Sequence, residues 1–354
     1  MRRFLTLTLV LSLVVVAAVA VPVAAAPTPS KSDTTTITLM THDSFAASKS
    51  VLRQFTKDTG VKVKVLPSGD AGAAVNQAIL TKSNPLGDVF YGVDNTLLSR
   101  ALDEGIFVRY KSPELSNVPK GLQLDGKHRV TPVDTADVCV NYDKKYFADH
   151  GLAVPQSIDD LAKPEYKGLF VVENPATSSP GLAFQLATVA KLGTNGWRDY
   201  WARLRSNDVK VVDGWEQAYN TEFSGSAGKG NYPLVVSYAS SPPAEVVNAD
   251  PKPSEPPTGV LLDTCFRQIE FVGVLKGTSH SKAAKQFVDF MLSQRFQEDM
   301  PLQMFVFPVR EGTKLPPEFT KFAELAPKPL ALPTREIARN RDTWISEWTD
   351  TVLR

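Results

Sequence analysis

The chain is poor in the groups from which most active sites are built. Its 354 residues include two cysteines, Cys139 and Cys265, and four histidines, His42, His128, His150 and His280, no two of them close in sequence. Two cysteines cannot complete a tetrahedral zinc site, and so sparse a set of histidines leaves little material for a metal centre or a serine–histidine nucleophile. An excess of one charge is lacking too, since 39 lysines and arginines stand against 38 aspartates and glutamates. That balance leaves no electrostatic footprint for nucleic acid or for an anionic membrane. No glycine-rich loop with its lysine is present to cradle phosphate. The nearest approach to a Gly-x-Ser-x-Gly elbow, Gly225-Ser226-Ala227-Gly228, is one residue short. Solenoid repeats and heptads are absent as well. These absences predict a protein that is not an enzyme, carries no cofactor and recognises its ligand through local groups.

What is present begins with an export signal. Arg2 and Arg3 precede the apolar run Leu5 to Val23 and then small residues, so 1–26 read as a signal peptide cleaved after Ala20, Ala25 or Ala26. The run is almost long enough to span a bilayer, which makes a retained anchor the competing reading. The alanine-rich end and the loose Pro, Thr and Ser tract of 27–35 favour removal and a flexible linker, with the mature protein in the periplasm, cell envelope or medium. About 328 residues then remain, enough for two domains with cores of their own. In an exported chain, an even pair of cysteines most simply forms one disulfide.

Along the mature chain, strands are expected at 36–40, 61–66 and 88–91, alternating with helices at 46–59, 73–82 and 97–102. This βαβαβ order with short loops implies a parallel sheet whose strand ends share one rim. Those ends deliver His42, Asp43, Ser44, Asp70, Asp94 and Asn95. A second set follows an apolar strand at 136–142. Its centre is 168–181, where the strand 169–172 gives way to Ser179 as N-cap, Pro180 at the first helical position and an apolar helix over 182–192. In an open α/β sheet such a turn is the ligand crevice, although an ordinary capped helix start has the same sequence. Helix 194–204, strand 209–212 ending at Trp215, helix 216–223 and strand 233–237 ending at Tyr238-Ala239-Ser240-Ser241 complete the set. After a Pro-rich loop at 248–258 come a long strand at 265–275, helices at 281–292, 294–300 and 334–353, and a short strand at 305–309. The pattern is that of two lobes, 36–136 with 270–354 and 137–269, joined by crossing segments near 137–142 and 265–270. A bridge between Cys139 and Cys265 would staple that hinge.

The strand-end residues offer aromatics, hydroxyls and carboxylates but no base beside a nucleophile, which suits a binding cleft. Trp215 and Tyr238 on one rim can stack a planar cationic ring, at about 0.5 to 2 kcal/mol per contact, with Asp43, Asp70 or Asp94 offsetting its charge. The same aromatics also fit a core, and the aspartates also fit helix caps and turns.

At these residues the chain resembles the periplasmic solute-binding proteins of ABC importers and, within them, the thiamine-binding family. The similarity runs through Thr41 to Ala46, Gly92 to Leu98, Thr177 to Gly181, Gly214 to Tyr219, Val236 to Pro242 and Trp344 to Trp348. The resemblance implies a type II fold, two α/β lobes with two crossover hinge strands, closing over the ligand as a monomer and handing it to an ABC permease. It also implies that Asp70 with Ala71, Ser178 with Ser179, Trp215, and Tyr238, Ala239, Ser240 and Ser241 line a pocket for thiamine or thiamine phosphates. The family pattern has tyrosines where His42 and Ala244 stand, and a tryptophan a few residues after Asp43-Ser44-Phe45, where this chain reads Ala47-Ser48-Lys49. The adjacent tyrosines of related ferric-ion binders are absent around Tyr238. The alternatives are the same fold holding another small cation or a phosphorylated metabolite and, more remotely, a secreted serine hydrolase.

Overall fold

The computed structural model describes residues 35–354. The expected signal peptide and all but the last residue of the linker lie outside the described residues. The first half of the chain is built from β1 (Thr36–Thr41), α1 (Lys49–Thr59), β2 (Lys62–Pro67), α2 (Ala71–Leu80), β3 (Val89–Asp94) and α3 (Leu98–Asp103). β1 runs parallel to both β2 and β3, and Ile37, Leu39 and Met40 are wholly buried, as in a sheet covered on both faces. Helix α1 turns Val51 and Phe55 inward and stops at Gly60 in the left-handed conformation.

Two helix starts in this half differ from the sequence expectation by two residues or more. α1 starts at Lys49 rather than residue 46, because Ser48 donates both its N–H (2.7 Å) and its hydroxyl (2.6 Å) to Asp299, holding 45–48 out of the helix. α2 starts at Ala71 rather than 73, because Asp70 caps it.

The second half comprises β4 (Thr131–Asp143), α4 (Lys144–His150), α5 (Ile158–Leu161), β5 (Phe170–Glu173), α6 (Ser179–Ser206), β6 (Lys210–Val212), α7 (Trp215–Gln217), β7 (Leu234–Tyr238) and α8 (Pro242–Val247). β8 (Thr258–Val274) then returns the chain to α9 (Ser281–Met291), α10 (Gln294–Gln303), β9 (Phe307–Pro308), α11 (Pro317–Phe322) and α12 (Thr334–Val352). β8 begins seven residues before the expected Cys265, and the strand expected at 305–309 is reduced to β9. Among the described residues one sheet runs in the order β2-β1-β3-β8-β4-β7-β5-β6, with β9 on β4.

The long antiparallel pair β4 and β8 forms the middle of that sheet. The C-terminal end of β8 pairs with β3, and the C-terminal end of β4 pairs with β7, so both strands cross from one α/β half into the other. Cys139 on β4 and Cys265 on β8 are joined by a disulfide that closes a loop of 126 residues in sequence.

Helix α6 is the core of the second half. Residues 179–189 are buried on every side, and the helix breaks at Gly193 before continuing to Ser206. Ile337, Arg341, Trp344, Trp348 and Val352 form one stripe on α12 at helical spacing. Trp348 meets Trp201 edge to face at 5.4 Å, and the Gln185 side chain donates to the Trp344 carbonyl at 2.7 Å. Residues 334–352, expected with the first lobe, therefore pack on α6, while Arg341 also donates to Ser99 on α3.

Candidate ligand-binding site

Asp70 is where the two halves meet. Its carboxylate accepts from Ala71 N at the start of α2, from Ser179 N at the start of α6 (3.2 Å) and from Trp215 N at the start of α7 (2.9 Å). Beside it, Ala73 N donates to the Thr177 carbonyl at 2.9 Å. The backbones approach so closely that a Cβ on Gly72 would lie 2.6 Å from the Thr177 carbonyl, so this position excludes any side chain. The helix cap is Ser178, not Ser179: Ser178 Oγ accepts from Gly181 N, and Pro180 takes the second helical position. Adjacent hydroxyls look alike in sequence, but here the Ser179 N–H serves Asp70, and its Oγ accepts from Gln268 (3.0 Å).

Around Asp70 opens a cavity of about 280 Å³, near the lower end of the roughly 300 to 1,000 Å³ usual for small-molecule sites. One wall is aromatic. The Trp215 ring stacks on Tyr219 (5.1 Å, 13°) and lies 6.1 Å from Tyr238. Its indole N–H donates to Ser237 Oγ at 2.9 Å, and that hydroxyl meets Ser241 Oγ at 2.9 Å, which fixes the ring. His42 and Glu270 also line the cavity, as do Gln303 at the end of α10 and the residues Met304, Phe305 and Val306 that follow it. Gly92 makes room for the His42 ring: it sits at a bulge in β3 with φ 105°, where a side chain would be strained and would strike the imidazole.

Asp70, Glu216 and Glu270 all line the cavity, and among the described residues no lysine or arginine does. Burial raises the Asp70 carboxyl above the usual aspartate range, while the N–H groups of Trp215 and Ser179 pull it back. Burial and the nearby Asp94 push Glu270 up to about 7. Burial lowers His42 and keeps its ring neutral near pH 7.

Six of the expected site residues share this cavity: Asp70, Ala71, Ser179, Trp215, Tyr238 and Ser241. Five do not line it. Asp43 is exposed at the turn after β1. Asp94 is fully buried and accepts from Thr96, Leu97 and Gln268, the role of a turn cap. Ser178 accepts from Gly181 N as the α6 cap, and its hydroxyl helps to hold the Asp70 carboxyl down. Ala239 packs against the Cys139–Cys265 disulfide, and Ser240 is buried beside it in sequence. The sequence reading missed Glu270, Glu216, Tyr219 and the segment 303–306. Glu270 had a signal, as the lone acid in the apolar run Ile269 to Val272.

The model of the bacterial extracellular solute-binding protein family matches residues 84–340. The chain belongs to that family. The thiamine-binding periplasmic protein of Escherichia coli (strain K12) is 29% identical over 323 residues, covering 90% of this chain and 94% of that one. A protein of the same description from Brucella suis biovar 1 is 29% identical over 325 residues, with 88% and 90% covered. The solved structure of a periplasmic thiamin binding protein matches with a TM-score of 0.78 at 27% identity, covering 90% of this chain and 96% of that one. The fold of this solute-binding protein is thus the two-lobed type II fold of periplasmic binding proteins. Within it, Trp344 and Trp348 of the family-like C-terminal motif are core residues, whereas His42 and Ala244, where the family pattern has tyrosines, both line the cavity.

Proposed function

We propose that this solute-binding protein is the extracytoplasmic receptor of an ABC importer and binds thiamine in the cavity around Asp70, with a membrane permease as its partner. One observation carries the reading: the cavity has an aromatic wall of Trp215, Tyr219 and Tyr238 and three carboxylates, with no lysine or arginine lining it among the described residues. That inventory suits a flat ring with a positive charge, such as the thiazolium of thiamine. It argues against a ligand held by its phosphate alone, because the N–H of Ser179 at the α6 N-terminus, a ready anion site, is engaged by Asp70. Thiamine binding by the named relatives points the same way.

Isothermal titration with thiamine and its phosphates tests the reading. Saturable heat with one site per chain is expected. Trp215→Ala is expected to weaken binding roughly two- to thirtyfold, the loss of one cation–π contact, with an unfolding midpoint near wild type. No heat with any of these ligands, and saturable binding of a different solute, would reassign the cargo.

A further inference from the structure

Glu270 has an acid opposite it on each neighbouring strand: Asp94 on β3 and Asp134 on β4. Three carboxylates in one row, with no lysine or arginine lining the cavity beside them among the described residues, do not all ionise at neutral pH. Asp94 is the best supported of the three, with donors from Thr96, Leu97 and Gln268. Asp134 and Glu270 share a single donor. The Tyr91 oxygen lies 2.6 Å from Asp134 Oδ2 and 3.1 Å from Glu270 Oε2, and its one hydrogen serves only one of them. A further proton held by this pair satisfies both contacts. The other Glu270 oxygen lies 3.5 Å from His42 Nε2, a nitrogen that is buried and makes no hydrogen bond. Both side chains line the cavity. A carboxyl group and an unpartnered imidazole are therefore turned toward the space the solute enters.

We propose that Glu270 is the counter-ion that selects a cationic solute, and that solute binding expels to solvent the proton Glu270 shares with Asp134. The inference rests on the cation-receptor reading above and adds to it the residue that reads the charge. The balance is simple. The empty pair carries one negative charge and one proton; the occupied pair carries two negative charges beside one positive solute, and the proton passes to the buffer.

Of the other titratable groups near this pair, the acids Asp94 and Asp70 oppose ionisation of Glu270 in the empty site, and the Tyr91 hydroxyl alone offsets them in part. Asp70 ahead of α2 and Glu216 in α7 are acidic, Tyr238 at the end of β7 is un-ionised, and Glu173 on β5 is pushed well above the usual glutamate range by burial and by Asp70. His42 after β1 is the single base, and burial keeps it neutral. Only an incoming cation reverses the local potential. The position of Glu270 at about 7 agrees with a proton retained at neutral pH until that happens.

The test is titration calorimetry of the intact mature protein with thiamine, from about pH 6 to about pH 8.5, in buffers of different ionisation enthalpy. This range lies above that in which the aminopyrimidine of thiamine takes up a proton. Near pH 6 the wild type is expected to release close to one proton per thiamine, with affinity rising toward tenfold per pH unit and levelling off above pH 7 to 8. Glu270→Gln is expected to bind more weakly above pH 8, by tenfold or more, and to release no proton at any pH. Thiamine binding by the wild type with no proton release near pH 6 would overturn the inference and leave the receptor reading intact. An unaltered proton count in Glu270→Gln would overturn it too. Absence of thiamine binding by the wild type at every pH would remove both. The wild-type proton count stands even if the variant does not fold.

Discussion

At the scale of single residues, the site is dominated by acids held in apolar surroundings. Burial raises Asp70, Asp94 and Asp134 above their ordinary range, and Glu270 to about 7. A carboxyl raised in the folded state binds its proton more tightly there than in the unfolded chain. The stability it contributes is full below about pH 4.3 and is lost as pH rises through the folded value, at up to about 1.4 kcal/mol per pH unit per group. His42, lowered by burial, acts in the opposite sense below about pH 6.5. Without ligand, the melting temperature of Glu270→Gln is therefore expected to fall less than that of wild type between pH 5 and about pH 7.5. Scanning calorimetry of both proteins checks this, and superimposable pH profiles would refute the assignment. Trp215 and Tyr238 were legible as candidates because they end apolar strands. Glu270 stood out only as a lone acid in an apolar strand, which gives no sign of which neighbours face it until the register is known.

At the scale of elements, the close approach of α2 to the turn before α6 determines how the halves meet. Gly72→Ala adds a methyl that fits only if that turn moves away, a strain of about 1 to 3 kcal/mol that exists only while the two are in contact. The substitution is expected to favour separated halves, raising the radius of gyration in small-angle scattering and weakening thiamine binding about tenfold, with little change in the unfolding midpoint. Unchanged scattering and affinity would show that this contact does not govern closure. The alternation of strands and helices was legible from hydrophobic period alone. Three helix starts that moved, at Lys49, Ala71 and Ser179, adjoin polar groups satisfied by partners distant in sequence: Asp299 for Ser48, and Ser179 and Trp215 for Asp70.

At the scale of the molecule, two long strands tie one half to the other, and the Cys139–Cys265 bridge closes their 126-residue separation. Both cysteines are fully buried. Replacing both by alanine is expected to cost about 2 to 5 kcal/mol, read as a lower denaturant midpoint. Thiamine affinity should change less than threefold, because neither sulfur lines the cavity. An unchanged midpoint would mean that the crossing strands need no covalent tie.

The sequence alone determined the α/β alternation, the cysteine pair and the scarcity of catalytic groups, because periodicity and composition are local properties of the chain. Tertiary structure decided which residues share the cavity. Asp94 and Glu270 occupy paired positions on adjacent strands, yet one faces a turn and its donors while the other lines the cleft. That difference depends on pairings between strands far apart in sequence, which no local pattern encodes.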